Sequence, residues 1–382
     1  MCAATVTDFG DSNAPGQLRT LIGAAAPGDT IVVPAGTITL ALGVLSISRD
    51  LTVQGAGALH TIIDAHHDSV VFSVTNQAVV TISQLTMENG SGEGGANLLN
   101  IRSTVTITDC TASNGSAGAG AGIANFGGVM VITGSTIVGN VASTKGGGIL
   151  NQTLTNPAAA ATLTVTNSTV SGNSATEGAG IYNLGTAHLN NVTVANNQTS
   201  PPFDTGGGIF NDVEPCTISV QNSIIAGNSD PDSPDCFSSF PGGIVSGGFN
   251  LVGNSKGCDW GSATGDQIGT DTTPIDPLLG PLTFNGGETA TMALLSGSPA
   301  IDRGNPAGCT DSAGALLTID QRHEPRPVSG SGFGPPICDI GAFELQPAQR
   351  VPAVSPLALS LLAGLLGTVG LAKLMRSRRG RL

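Results

Sequence analysis

The chain has 382 residues, of which 55 are glycine, 3% aromatic and 11% charged. Glycine at this level without a three-residue period excludes collagen, and a hydrophobic content of 40% excludes wholesale disorder. All 27 acidic residues precede residue 350, with eight of the fourteen basic ones. The body therefore carries −19 and repels phosphate backbones, so no nucleic-acid partner is expected.

At the start, MCAATVTDFG shows neither a basic n-region nor an apolar h-region, and an export signal is expected upstream of Met1. Residues 16–36, GQLRTLIGAAAPGDTIVVPAG, predict a short amphipathic helix followed by the first strands. Residues 1–50 are thus assigned to an N-terminal cap and first coil. DAHHD at 64–68 places two histidines between two aspartates. Adjacent residues in a strand face opposite ways, so a turn is expected there and not a metal site.

From residue 51 to 228 the chain repeats. GANLLN, GAGIAN, GGGILN, GAGIYN and GGGIFN recur at 95, 120, 146, 178 and 206. Between them, alternating strands place Ile82, Ile107, Ile132, Val165, Leu189 and Val220 in one register, at spacings of 25, 25, 33, 24 and 31. The longer intervals hold turn-rich insertions, TLTNPAAAA and TSPPFDT, and no connector reads as a helix. The expected fold is all-β: a right-handed parallel β-helix whose coils stack about 4.8 Å apart. Asn100, Asn125, Asn151, Asn183 and Asn211 are then expected to form a ladder of amides bonded from coil to coil. A second asparagine row is expected at Asn140, Asn173, Asn197 and Asn228.

Residues 229–350 lose the period and are assigned to an irregular C-terminal cap. Cys236 with Cys258 and Cys309 with Cys338 read as two disulfides stapling it, since their spacings match no zinc site. Asp302, Asp320, Arg322, Arg326 and Asp339 could do acid–base work, but the favoured reading is an ion-pair knot closing an irregular segment. DPDSPD at 230–235 offers carboxylates without the spacing of a defined calcium loop, so no metal and no cofactor are expected. The final stretch, 351–382, carries an apolar run followed by arginines. Residues 356–373 are expected to form a transmembrane helix, the apolar Leu357–Ala372 spanning about 24 Å against a hydrocarbon core of ~30 Å.

TIDQRHEPRP, ICDIGAFE and GSPAIDRG resemble the C-terminal region of bacterial choice-of-anchor Q surface proteins. VPAVSPLAL with the following apolar run is similar to the IPTL-CTERM sorting signal, and the repeats resemble right-handed β-helix repeats. The resemblance implies a secreted protein anchored to the bacterial envelope whose family has no assigned chemistry. The expected partners are the membrane, the envelope sorting machinery, and a surface glycan or host cell.

The chemistry-bearing residues of the repeats are sparse. Between 79 and 228 the basic side chains are Arg102 and Lys145, and the acids are Glu88, Glu93, Asp109, Glu177, Asp204, Asp212 and Glu214. They fall in different phases of the repeat, and neither Trp260 nor Tyr182 lies in an obvious aromatic row for sugar binding. The expectation is therefore a structural or adhesive surface protein with no catalytic activity. The alternative is a carbohydrate-active β-helix enzyme, a polysaccharide lyase or hydrolase, with an atypical site.

Overall fold

The computed structural model describes residues 2–201, 205–330 and 334–347. Within them the chain forms a parallel β-solenoid of about ten turns with almost no helix. One coil shows the plan. A first strand, Leu98–Ile101, leads to a second, Thr104–Thr108, a third, Thr111–Ser113, and a fourth, Ser116–Ala119. The next coil then begins at Ile123.

Alternation sets what points inward. Ile82, Ile107, Ile132, Val165, Leu189 and Val220 are successive register partners on the second strands, each at most 1% exposed. Leu98, Ile123, Ile149, Ile181 and Ile209 make the equivalent row on the first strands. Burying an aliphatic side chain of this size contributes about 1.5–3 kcal/mol, and each row repeats that gain coil after coil.

Two amide ladders line the corners of this core. At the end of the first strand, Asn100 donates to Asn125, Asn125 to Asn151, Asn151 to Asn183 and Asn183 to Asn211, at 2.7–2.8 Å. In the turn between third and fourth strands, Asn140, Asn173, Asn197 and Asn228 bond likewise at 2.9 Å. This second ladder is longer than the sequence suggested. Asn97 donates to Asn140 at one end, and Asn228 donates to the Asp235 carboxylate at the other, both at 2.9 Å.

These end residues explain the glycine phrase. Asn97 and Asp235 occupy the coil position that Gly122, Gly148, Gly180 and Gly208 fill in between, each directly before the inward first-strand residue. A Cβ on Gly148 or Gly180 would lie 3.0 Å from the amide nitrogen of Asn173 or Asn197, and one on Gly208 2.7 Å from that of Asn228. Each level of the ladder has room for one polar side chain. It comes either from this position or from the third–fourth turn of the next coil. Where Asn97 and Asp235 supply it, that turn carries glycine instead, Gly115 and Gly253, whose Cβ atoms would fall 2.9 Å from the Asn97 amide and 2.7 Å from the Asp235 carboxylate.

At the N-terminal end, the helix Leu18–Ala24 buries Leu18 and Ile22 against the first strands. At the other end the stack runs past residue 228, where the repeat phrase stops. Cys236–Ser238, Ile244–Gly248 and Leu251–Val252 continue the three strand columns, and Trp260–Gly261 and Gln267–Ile268 stack on the latter two. The disulfide Cys236–Cys258 ties these last coils, where the asparagine rows have ended. After a two-stranded hairpin, Leu279–Thr283 with Thr291–Leu294, the chain turns back along the side of the solenoid instead of plugging its end. It lies along the turn between second and third strands, where Asp109, Asn167, Asn191 and Asn222 adopt left-handed backbone angles. His323 reaches Asp109, Asn167 bonds Ile319 O and Arg326, Asn191 bonds Thr310 O, and Asn222 accepts from Asn305 N. The expected transmembrane helix at 356–373 lies outside the described residues; among those described, no helix is long and apolar enough to cross a membrane.

Candidate functional site

The turn from fourth to first strand is where polar chemistry collects. Its glycines have left-handed angles, with φ of 64° at Gly146, 57° at Gly178 and 69° at Gly206. The reversal is tight: a Cβ on Gly178 would sit 2.9 Å from that of Tyr182. The residue before each glycine therefore lies beside the outer face of the first strand that follows. Lys145, Glu177 and Thr205 hold this place on three successive coils and bridge to one another in parallel register.

The outer face of those first strands carries an aromatic row. The Tyr182 and Phe210 rings stack with centroids 4.8 Å apart and planes 9° apart, and Phe237 continues the row at 5.1 Å. Tyr182 is 1% exposed, yet its phenol reaches the surface cluster. Lys145 Nζ lies 2.5 Å from the phenol oxygen, 3.2 Å from Glu177 Oε2, 3.8 Å from Asp212 Oδ2 and 4.5 Å from the ring centroid. The Tyr182 hydroxyl in turn donates to Asp212. Burial, followed by the bond to Asp212 and the charges of Asp212 and Glu177, pushes the Tyr182 pKa well up and keeps the phenol protonated.

The cluster thus presents one cation between two carboxylates, 3.2 Å from Glu177 Oε2 and 3.8 Å from Asp212 Oδ2. Lys145 is the most open member, its side chain 40% exposed against 21% and 20% for the acids. The sequence reading placed these residues in different phases and Tyr182 outside any row. The structure corrects the first for Lys145 and Glu177, which share one position of the repeat, and the second for Tyr182, which stacks in a row. Lys145 and Glu177 precede the glycine turn while Asp212 follows the first strand, and the reversal at the glycines folds the two phases together. The signal was present in the sequence: Lys145 and Glu177 stand directly before GGGILN and GAGIYN.

The cap residues gather elsewhere. Arg326 and Glu344 form an ion pair of 2.8 Å with both side chains fully buried, and Arg326 also donates to Asn167 and to the carbonyls of Asp339, Gly341 and Phe343. Arg322 pairs with Asp320 at 2.6 Å and lies over the Phe343 ring. Asp339 accepts the N–H groups of Asp302 and Leu345, and burial, then the Glu344 charge, raises its pKa to about 7. Asp302 accepts the N–H of Gly330. Glu344, at the centre of this knot, was not singled out in the sequence. Cys309 and Cys338 are bonded beside it. Among the described residues, no group of three or more His, Cys, Asp or Glu side chains is placed to hold a metal. His66 and His67 lie in a turn, and Asp230 is occupied by the N–H groups of Asp232 and Ser233 and the Thr199 hydroxyl.

Against solved structures, the chain is similar to the pectate lyase Pel9A, with a TM-score of 0.52 and 12% identity over 91% of this chain and 97% of that one. The PL6-family alginate lyase AlyGC matches at a TM-score of 0.21 and 10% identity, over 88% of this chain and 59% of that one. No family model matches the chain, and neither does any curated protein. At this identity the first likeness establishes a shared β-helix fold. The expectation of no catalytic activity is corrected to this extent: Pel9A is a pectate lyase on the same fold, so the scaffold gives no ground for excluding an enzyme. On this scaffold Lys145, Glu177 and Asp212 come together.

Proposed function

We propose that this β-helix is a carbohydrate-active protein that cleaves a polysaccharide at the Lys145–Glu177–Asp212 cluster. The observation that carries the reading is the convergence of one half-exposed lysine and two carboxylates from different coils. Lys145 supplies the cation that meets a carboxylate or hydroxyl of the sugar. Glu177 and Asp212 take and return the proton. Tyr182, buried and stacked, is a positioning residue that fixes Asp212 and Lys145 through its hydroxyl. The fold shared with Pel9A supports β-elimination on a uronate polymer, in which the proton beside the sugar carboxylate leaves to a carboxylate base, the C–O bond breaks and a C=C bond forms. The disulfides and the resemblance of the tail to an envelope-sorting signal support action outside the cytosol.

Incubation with polygalacturonate, alginate and neutral glycans tests this. Elimination yields an ultraviolet-absorbing unsaturated product, and hydrolysis yields reducing ends without it. Lys145→Met and Asp212→Asn are expected to lower the rate at least about 100-fold. Wild-type protein that releases no more product than Lys145→Met from any of these polymers would refute the assignment.

A further inference from the structure

On the outer face of the second strands, Thr81, Thr106, Val131 and Thr164 form one row along successive coils. The next two members break it: His188 follows Thr164, and Ser219 follows His188. His188 Nδ1 and Ser219 Oγ lie 2.6 Å apart, far closer than the 3.5 Å from that hydroxyl to the Ala187 carbonyl. Two residues on, along the same face, the Asn190 amide donates to Gln221 Oε1 at 3.3 Å, leaving Gln221 Nε2 free. These four residues line a cavity of about 110 Å³ with Gly247 and Ser312. Ser312 is held there by the returning segment, which Asn191 pins at the Thr310 carbonyl at 2.9 Å.

We propose that Ser219 and His188 are the nucleophile and base of a second site, which removes small acyl groups from esters such as acetylated sugar hydroxyls. With Nδ1 accepting, the neutral ring carries its proton on Nε2 and is ready to take the serine proton. Ser219 Oγ bonds to the ester carbonyl carbon as its proton passes to Nδ1. Gln221 Nε2 donates to the oxyanion. The C–O bond to the alcohol breaks, and that oxygen takes the proton from Nδ1. Water then attacks the acyl-serine, loses its proton to Nδ1, and releases the carboxylic acid while Oγ is reprotonated. The cavity admits an acetyl group but not a sugar ring, which would remain outside on the flat face. No metal or other co-reactant is needed.

The test uses a fluorophosphonate probe with peptide mass mapping, and p-nitrophenyl acetate turnover. Phosphonylation is expected at Ser219. Ser219→Ala is expected to abolish labelling, and His188→Thr to slow both reactions at least about 100-fold. Threonine is the residue that neighbouring coils carry in this row, so His188→Thr keeps the fold, which circular dichroism checks. Gln221→Ala is expected to keep Ser219 labelled while turnover falls about 10-fold or more. Labelling confined to other serines, or a His188→Thr protein as fast as wild type, would overturn the proposal. Neither result bears on the Lys145 cluster, whose readout is chain cleavage.

Discussion

The exchange of glycine and asparagine along the second ladder leads to a prediction that can be worked through. Gly148 and Asn173 fill one level, and the end pair Asn97 and Gly115 fills another with the two residue types reversed. Asn173→Gly alone removes the acceptor of both Asn140 N and Asn140 Nδ2, at 3.0 and 2.9 Å. Orphaned buried donors cost about 1–3 kcal/mol each, so this variant should lose roughly 2–6 kcal/mol. Gly148→Asn alone forces a side chain to within 2.6 Å of Gly180 O and 3.0 Å of the Asn173 amide, an overpacking cost of about 1–3 kcal/mol. Gly148 lacks a left-handed φ, so asparagine adds no backbone strain there. In the double variant the amide enters from the opposite side of the same level, as it does at Asn97. The double variant should therefore be more stable than Asn173→Gly alone, with a coupling of roughly 3 kcal/mol. Urea midpoints followed by far-ultraviolet circular dichroism, compared at equal slope, measure it. If the double loss equals the sum of the single losses within about 0.5 kcal/mol, the one-side-chain-per-level account is wrong.

Two further predictions concern buried charge. Burial raises Asp235 to about 6 and Asp339 to about 7 in the folded protein, from 3.8. Between those values the native state holds protons that the unfolded chain has released. Stability should therefore fall as pH rises from about 4 to 7, by at most roughly 3 kcal/mol for Asp235 and 4 for Asp339. Urea midpoints at pH 4.5 and 8 should show the acidic value higher, and a higher midpoint at pH 8 would contradict the assignment. Arg326→Met strands the fully buried Glu344 and should cost about 3–5 kcal/mol in the same assay, where a loss under about 1 kcal/mol would mean that the pair does not hold the returning segment.

The inward rows and the first ladder could be read from the sequence because they depend on local alternation and on a phrase that recurs whole. Asn97 and Asp235 could not be read as ladder members. Their role depends on which side of a stacked level supplies the amide, and GANLLN and PDCFSS look unlike the other copies at that point. The path of residues 297–330 and 334–346 was equally hidden. Its anchors, Gln321 on Thr136 and Thr169, and Arg326 on Asn167, join positions more than 150 apart in the chain. No periodicity reports a contact of that range. The same applies to Asp212, which shares no phase with Lys145 and Glu177 and meets them only because a glycine turn reverses the chain.

The ladders also bear on where chemistry can reside. A coil position that faces inward, or that feeds an amide level, is fixed by its neighbours above and below, so a substitution there must be matched on the next coil. Two kinds of position stand outside the inward rows and the amide levels: the residue before each fourth–first glycine, and the outward residues of the strands. Down the first series run Gly94, Ala119, Lys145, Glu177 and Thr205; down the outer first strand run Leu99, Ala124, Leu150, Tyr182 and Phe210. Both series begin with small or aliphatic residues; the first turns charged at Lys145 and Glu177, and the second turns aromatic at Tyr182 and Phe210. Across the outer second strand, His188 and Ser219 depart from the threonine row on those coils or the ones beside them. The first two columns meet where Lys145 Nζ bonds the Tyr182 hydroxyl and lies over its ring. The departures from the small and aliphatic pattern thus fall on neighbouring coils, and there they assemble the Lys145–Glu177–Asp212 cluster on which the proposed cleavage rests.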